Sequence, residues 1–175
     1  MNTIINRRQA MVSAAGAAVA AVFGLGGCAQ RAAALSPPKI HYGYDPCAWC
    51  GMIISDPHFA AAAAYTRNGS PHDARFDDIG CMLAWQYAHR KMHVAAAWVK
   101  SYATKKWINA QTAWFVESTA ILSPMGYGIA AGATPSQAQL ALPQATRPES
   151  NAMTYSAIRH FEWSKARHNQ PVKSQ

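Results

Sequence analysis

The sequence predicts an α+β fold in which a hairpin, a helix and a strand occur twice, over residues 58–102 and again over 107–155. Three observations predict it. Arg67, Asn68, Gly69, Ser70 and Pro71 form a run of turn residues between two extended stretches, which reads as a hairpin. Ile79, Met82, Leu83, Gln86 and Tyr87 recur at the three- and four-residue spacing of one helical face. Residues 94–102 then alternate in the manner of a half-buried strand. With 175 residues, the chain has room for one domain or for two small repeats sharing a core, and none for a large multidomain enzyme. Alanine inflates the 50% hydrophobic content, so six Trp, seven Tyr and five Phe must supply the bulk of a core.

Taken in order, residues 1–27 read as an export signal, to be set aside before any fold is inferred. Arg7 and Arg8 make a positive start, 10–25 is an uncharged run rich in Ala, Val and Gly, and Leu25, Gly26, Gly27 and Cys28 fit a lipobox. In that motif small residues admit a membrane peptidase, and the Cys28 thiol takes the lipid. The apolar run falls short of the roughly 20 residues that a permanent spanning helix needs. The expected product is a lipoprotein on the periplasmic side of a bacterial membrane, held by lipid on Cys28 and exported by the Sec or, given the arginine pair, the twin-arginine route.

Residues 28–39 are then the lipidated cysteine and a flexible tether ending in Pro37 and Pro38, 40–168 the folded metal-binding domain, and 169–175 a polar tail. Loss of Arg7 and Arg8 from 16 basic residues, set against eight acidic ones, leaves a formal charge of about +6. That charge is dispersed. It suits a surface near anionic headgroups and lacks the concentrated stripe that nucleic acid requires, so no nucleic-acid partner is expected.

Within the domain, the alanine-rich stretch 58–66 and the run resuming at Arg75 and Phe76 are the arms of the first hairpin. Asp77 or Asp78 caps the helix, which is expected to reach about Lys91, where Arg90 and Lys91 complement its C-terminal dipole. After the strand 94–102, a strand, turn and strand at 107–110 and 113–117 make the second hairpin. A glycine-marked segment, 125–131, leads to a short helix over 135–142. A brief strand at 153–155 and a helix over 156–167 complete the domain.

The densest chemistry is Cys47, Ala48, Trp49, Cys50, Gly51 and Met52, with His58 downstream. A CxxC pair serves as a redox dithiol, as half of a zinc site or as a soft-metal clip, and in an oxidising compartment it also forms plain disulfides. A closed zinc site wants four ligands, and Cys81 is the only cysteine left in the domain. A thioredoxin-like dithiol opens a helix, whereas Gly51, Met52, Ile53 and Ile54 read as a turn. Thiolate and thioether donors together select Cu(I), because both are polarizable and discriminate against hard ions. Cys81 falls in the first turn of the capped helix, where the dipole is expected to lower its pKa; it reads either as packing beside Met82 and Leu83 or as a further ligand. No nucleophile, base and acid arrangement stands out, and the Asp77 and Asp78 pair is explained by capping, so no enzyme is expected.

With CAWCGM and His58, with FDDIGCMLAW at 76–85, SPMGYGIAA at 123–131 and AMTYSAIRHF at 152–161, all following the lipobox, the chain resembles the NosL family, the nitrous oxide reductase accessory lipoproteins. The resemblance implies two β-β-α-β repeats similar to those of an organomercurial lyase. It also implies a copper chaperone that binds Cu(I) and delivers it to an acceptor cuproenzyme, nitrous oxide reductase or its assembly factors. The family's ligands fall on Cys50 and Met125; Met52, Cys47 and His58 are further candidates, with Cys81 the most remote. A periplasmic thiol-disulfide oxidoreductase using Cys47 and Cys50, and a structural lipoprotein with bridged cysteines, are the competing readings.

Overall fold

The computed structural model describes residues 35–147 and 151–160. The signal, Cys28 and most of the tether expected at 28–39 lie outside the described residues, as does the end of the last expected helix. Among the described residues, no helix is long and apolar enough to cross a membrane.

The first repeat opens with β1 (Ala61–Arg67) and β2 (Ser70–Phe76), paired antiparallel with Arg67 opposite Ser70. Asn68 and Gly69 both have positive φ, 52° and 77°, which is the two-residue turn that lets the strands keep their right-handed twist. Pro71, which has no N–H to give to a ladder, is tolerated because β2 lies at the sheet edge. Helix α1 (Ile79–Ala88) follows, and then β3 (His93–Lys100), which pairs with β1. The resulting order is β2-β1-β3, extended on the far side of β3 by β4 (Trp107–Asn109).

β4 corrects the second hairpin expected from the sequence. Its residues 107–109 pair with 98–100 of the first sheet and not with the strand that follows. The cause is local: Asn109 Oδ1 accepts from Gln111 N at 2.8 Å, and the resulting 3-10 turn, Ala110–Thr112, redirects the chain. The second repeat therefore begins at β5 (Trp114–Glu117), which pairs with β6 (Ile129–Gly132) across the long loop 118–128. Helix α2 (Pro135–Gln139) comes next, with Thr134 Oγ1 accepting from Gln137 N, and then β7 (Met153–Thr154) beside β5. The order β6-β5-β7 repeats that of β2-β1-β3, so the chain is two β-β-α-β units of the α+β class. A helical run, α3, occupies 155–160.

Helix α1 also departs from expectation. It ends at Ala88, three residues early, because His89 leaves the helix at φ −106°, ψ 32° while its N–H and its imidazole Nδ1 both engage Trp85 O. Arg90 and Lys91 lie in the turn beyond. Ile79, Gly80, Cys81, Met82 and Leu83 are all buried, so the start of α1 has no exposed face, as befits a helix touching β1 and β2 of one sheet and β6 of the other. The same crowding explains the alanines of β1: Ala61, Ala62 and Ala63 are fully buried in the central strand, where larger side chains would hold its neighbours away.

Candidate metal centre

The segment 43–54 folds back on itself before β1. Gly43 N donates to Ile54 O at 2.8 Å, Ile54 N to Asp45 O at 2.9 Å and Cys47 N to Met52 O at 2.7 Å. At its tip Gly51 N donates to Cys47 O at 2.9 Å, a closure that puts Gly51 at φ +77°, where only glycine is unstrained. Two bonds fasten the loop to the first repeat: Ala48 N donates to Arg75 O at 2.8 Å, and Ser55 N to the buried Asp77 Oδ1 at 2.8 Å. The CxxC turn therefore sits against the junction of β2 and α1.

Cys81 is the third residue of α1, and the cap at Asp78 sets its position. Asp78 Oδ1 accepts from Gly80 N at 2.9 Å, while Asp77 is occupied with Ser55, which settles which aspartate is the cap. The sulfurs of Cys47, Cys50 and Cys81 lie within 4.8 Å of one another, none of them in a disulfide, with those of Cys81 and Cys50 3.9 Å apart. Cys47 and Cys81 are buried and Cys50 is half-buried, so the cluster opens to solvent through Cys50.

The electrostatics make this one thiolate between two thiols. Donation from Cys81 and from the amides of Cys50, Asp77 and Trp49 holds the Cys47 pKa down to about 5, against the opposing effect of burial. Cys81, which keeps its proton to donate to Cys47 and is buried, is pushed up, and burial with the nearby Cys47 charge raises Cys50. The expectation of a lowered Cys81 is thereby corrected: its hydrogen bond with Cys47 and its burial raise it.

Met125 and Met52 line one cleft of about 610 Å³, together with Asp56, Asp77 and Leu122. They are 37% and 58% exposed, so both residues reach solvent. Met125 sits in the 118–128 loop, tied to α1 by its own N–H, which donates to Asp78 Oδ2 at 3.1 Å, and by Ser123 Oγ, which donates to the same oxygen at 2.6 Å. Tyr127 lies against Gly80, where any side chain would meet its ring. His58 is placed elsewhere: its Nδ1 is 2.8 Å from Asp56 Oδ1 and its ring packs on Tyr102 at 5.1 Å, and it does not join the sulfur cluster. The linking role of Asp78, Ser123 and Gly80 was not visible in the sequence beyond the capping signal and the glycine pattern.

Three soft donors on two elements that meet only in the fold form a cluster able to hold a metal ion. A comparison with curated proteins returns no match. Among solved structures, the chain is similar in fold to the crystal structure of the copper chaperone NosL from Shewanella denitrificans, with a TM-score of 0.51 and 19% identity over 69% of this chain and 96% of that one. The family model described as NosL matches residues 41–141, which span the CxxC loop, the Cys81 helix and the Met125 loop alike. The chain belongs to the NosL family.

Proposed function

We propose that this protein is a copper chaperone, held by lipid on Cys28 at the periplasmic side of a bacterial membrane, that takes up Cu(I) and passes it to a cuproenzyme, nitrous oxide reductase or its assembly factors. The observation that carries the proposal is the convergence of Cys47, Cys50 and Cys81 within 4.8 Å. Three thiolates at that spacing suit a low-coordinate soft ion, whereas zinc takes four ligands in a closed tetrahedral site. A dithiol oxidoreductase has no use for a third sulfur or for the thioethers beside it.

Uptake and release follow from the gradient of burial. Met125 and Met52 are neutral donors at the accessible cleft, able to meet an incoming ion and to detach from it. Cys50 is the solvent-facing cysteine of the cluster, and the buried Cys47 and Cys81 would shield a bound ion from solvent. Exchange proceeds by attack: a partner's ligand binds before Cys50 lets go, so the ion is never free. His58 has no part in this scheme; it orients Asp56 at the cleft wall.

The test is competition for Cu(I) against a coloured chelator under reducing conditions. The protein should bind about one equivalent and prefer Cu(I) to Zn(II), following donor softness. A Cys47→Ser, Cys50→Ser, Cys81→Ser triple variant should bind none. Tighter binding of zinc than of Cu(I) would sink the proposal.

A further inference from the structure

We propose that Asp78 is a positioning residue for the metal centre, whose buried carboxylate holds the Met125 loop in register with the helix that carries Cys81. This inference rests on the reading of the cysteines and Met125 as copper ligands. A helix cap requires one carboxylate oxygen, and Oδ1 fills that role by accepting from Gly80 N at 2.9 Å. Oδ2 is spent wholly on the distant loop, accepting from Ser123 Oγ at 2.6 Å and from Met125 N at 3.1 Å. Ser123 Oγ accepts in turn from Gly128 N at 3.0 Å, so both ends of the 123–128 segment hang from one carboxylate.

Asp78 is fully buried, and a carboxylate taken out of water is tolerated only where such donors compensate it. Its three donors oppose that cost, although burial still raises its pKa, and they hold the carboxylate to both the helix and the loop. The consequence is geometric. The backbone origin of the Met125 side chain is fixed relative to the first turn of α1, three residues from Asp78 to Cys81, although 44 residues of chain separate Cys81 from Met125. The contact of Gly80 with Tyr127 supports the same register from the other side of the loop. Groups that orient ligands in this way typically change metal affinity by about 10- to 100-fold when removed.

Asparagine caps helices as well as aspartate does, but it has one acceptor oxygen where two are needed, so Asp78→Asn can satisfy α1 or the loop and not both. Ser123→Ala removes the Ser123 bond to Oδ2 and the Gly128 bond to Ser123, and leaves the cap and the Met125 N–H bond in place. Cu(I) affinity by chelator competition should be measured for the full-length protein in mild detergent, for Asp78→Asn, Ser123→Ala and Met125→Leu, and for each of the first two combined with the third. Melting temperatures report folding.

Asp78→Asn should lose about 10-fold and Ser123→Ala about three-fold, and both losses should vanish in the Met125→Leu background, since a residue acting through Met125 has nothing left to position. If Asp78→Asn does not fold, Ser123→Ala carries the test. Wild-type affinity in Ser123→Ala, or losses that multiply with Met125→Leu, would overturn the positioning role while leaving the copper reading intact. Wild-type affinity in Met125→Leu would instead remove Met125 from the ligand set, and the inference with it. A protein that binds no Cu(I) at all would refute the copper reading itself.

Discussion

Replacement of Gly80 by alanine sets two known effects against each other at one atom. Alanine within a helix is favoured over glycine by about 1 kcal/mol, and Gly80 is helical, so an open site would gain stability. The structure closes that site: a methyl group on Gly80 would coincide with the Tyr127 ring. The ring cannot slide away cheaply, because Gly128 next to it is at φ +66° with its backbone against Ser118 O. Overpacking of this kind costs about 1–3 kcal/mol. If the loop lifts instead, the two bonds to Asp78 Oδ2 are lost at about 1 kcal/mol each. Either route outweighs the gain in helix propensity, and the net expectation is a loss of about 1–2 kcal/mol together with weaker Cu(I) binding. Urea unfolding followed by tryptophan fluorescence measures the first quantity and chelator competition the second. A Gly80→Ala variant as stable as wild type, or more so, would refute the packing assigned to these two segments.

Proton release offers a second check. Cys47, with its pKa held to about 5, is already a thiolate at pH 7, whereas Cys50 and Cys81 are raised and protonated, so a three-thiolate ion should displace about two protons and lose about 100-fold in apparent affinity per unit of falling pH near neutrality; a slope of one proton would mean that one of these thiols stays out of the site. Gly51→Ala and Gly69→Ala both place a side chain at φ +77° and should each cost about 1–2 kcal/mol, but only the first, at the CxxC tip, should weaken Cu(I) binding; equal effects on binding would argue against that turn as the site. Cys28→Ala should accumulate as an unlipidated precursor that retains residues 1–27, and wild-type protein found in the cytoplasm with that segment intact would exclude the lipoprotein assignment.

Local chemistry was the legible part. Asn68 and Gly69 can hardly be anything but a tight hairpin turn, since both accept positive φ, and the turn closes where they stand. Thr134 before Pro135 marks a helix start by the same kind of reasoning. Where two local signals competed, the sequence was ambiguous: either aspartate of the Asp77 and Asp78 pair can cap, and only the bond from Ser55 to Asp77 assigns the role to Asp78. The strand at 107–109 misled because an alternating pattern shows that a segment pairs but not with which partner.

The sequence by itself determined the α+β class, the CxxC turn with its obligatory Gly51, the capped helix and the soft character of the donors, because each depends on residues within a turn or two of one another. The tertiary structure alone decided that Cys81, 31 residues from Cys50, belongs with the CxxC pair, that Met125 is fastened to the same helix, and that His58 turns instead to Asp56. Those outcomes depend on two sheets closing over α1 and on a buried carboxylate that two distant donors reach, and contacts of that kind leave no periodic trace in the chain that makes them.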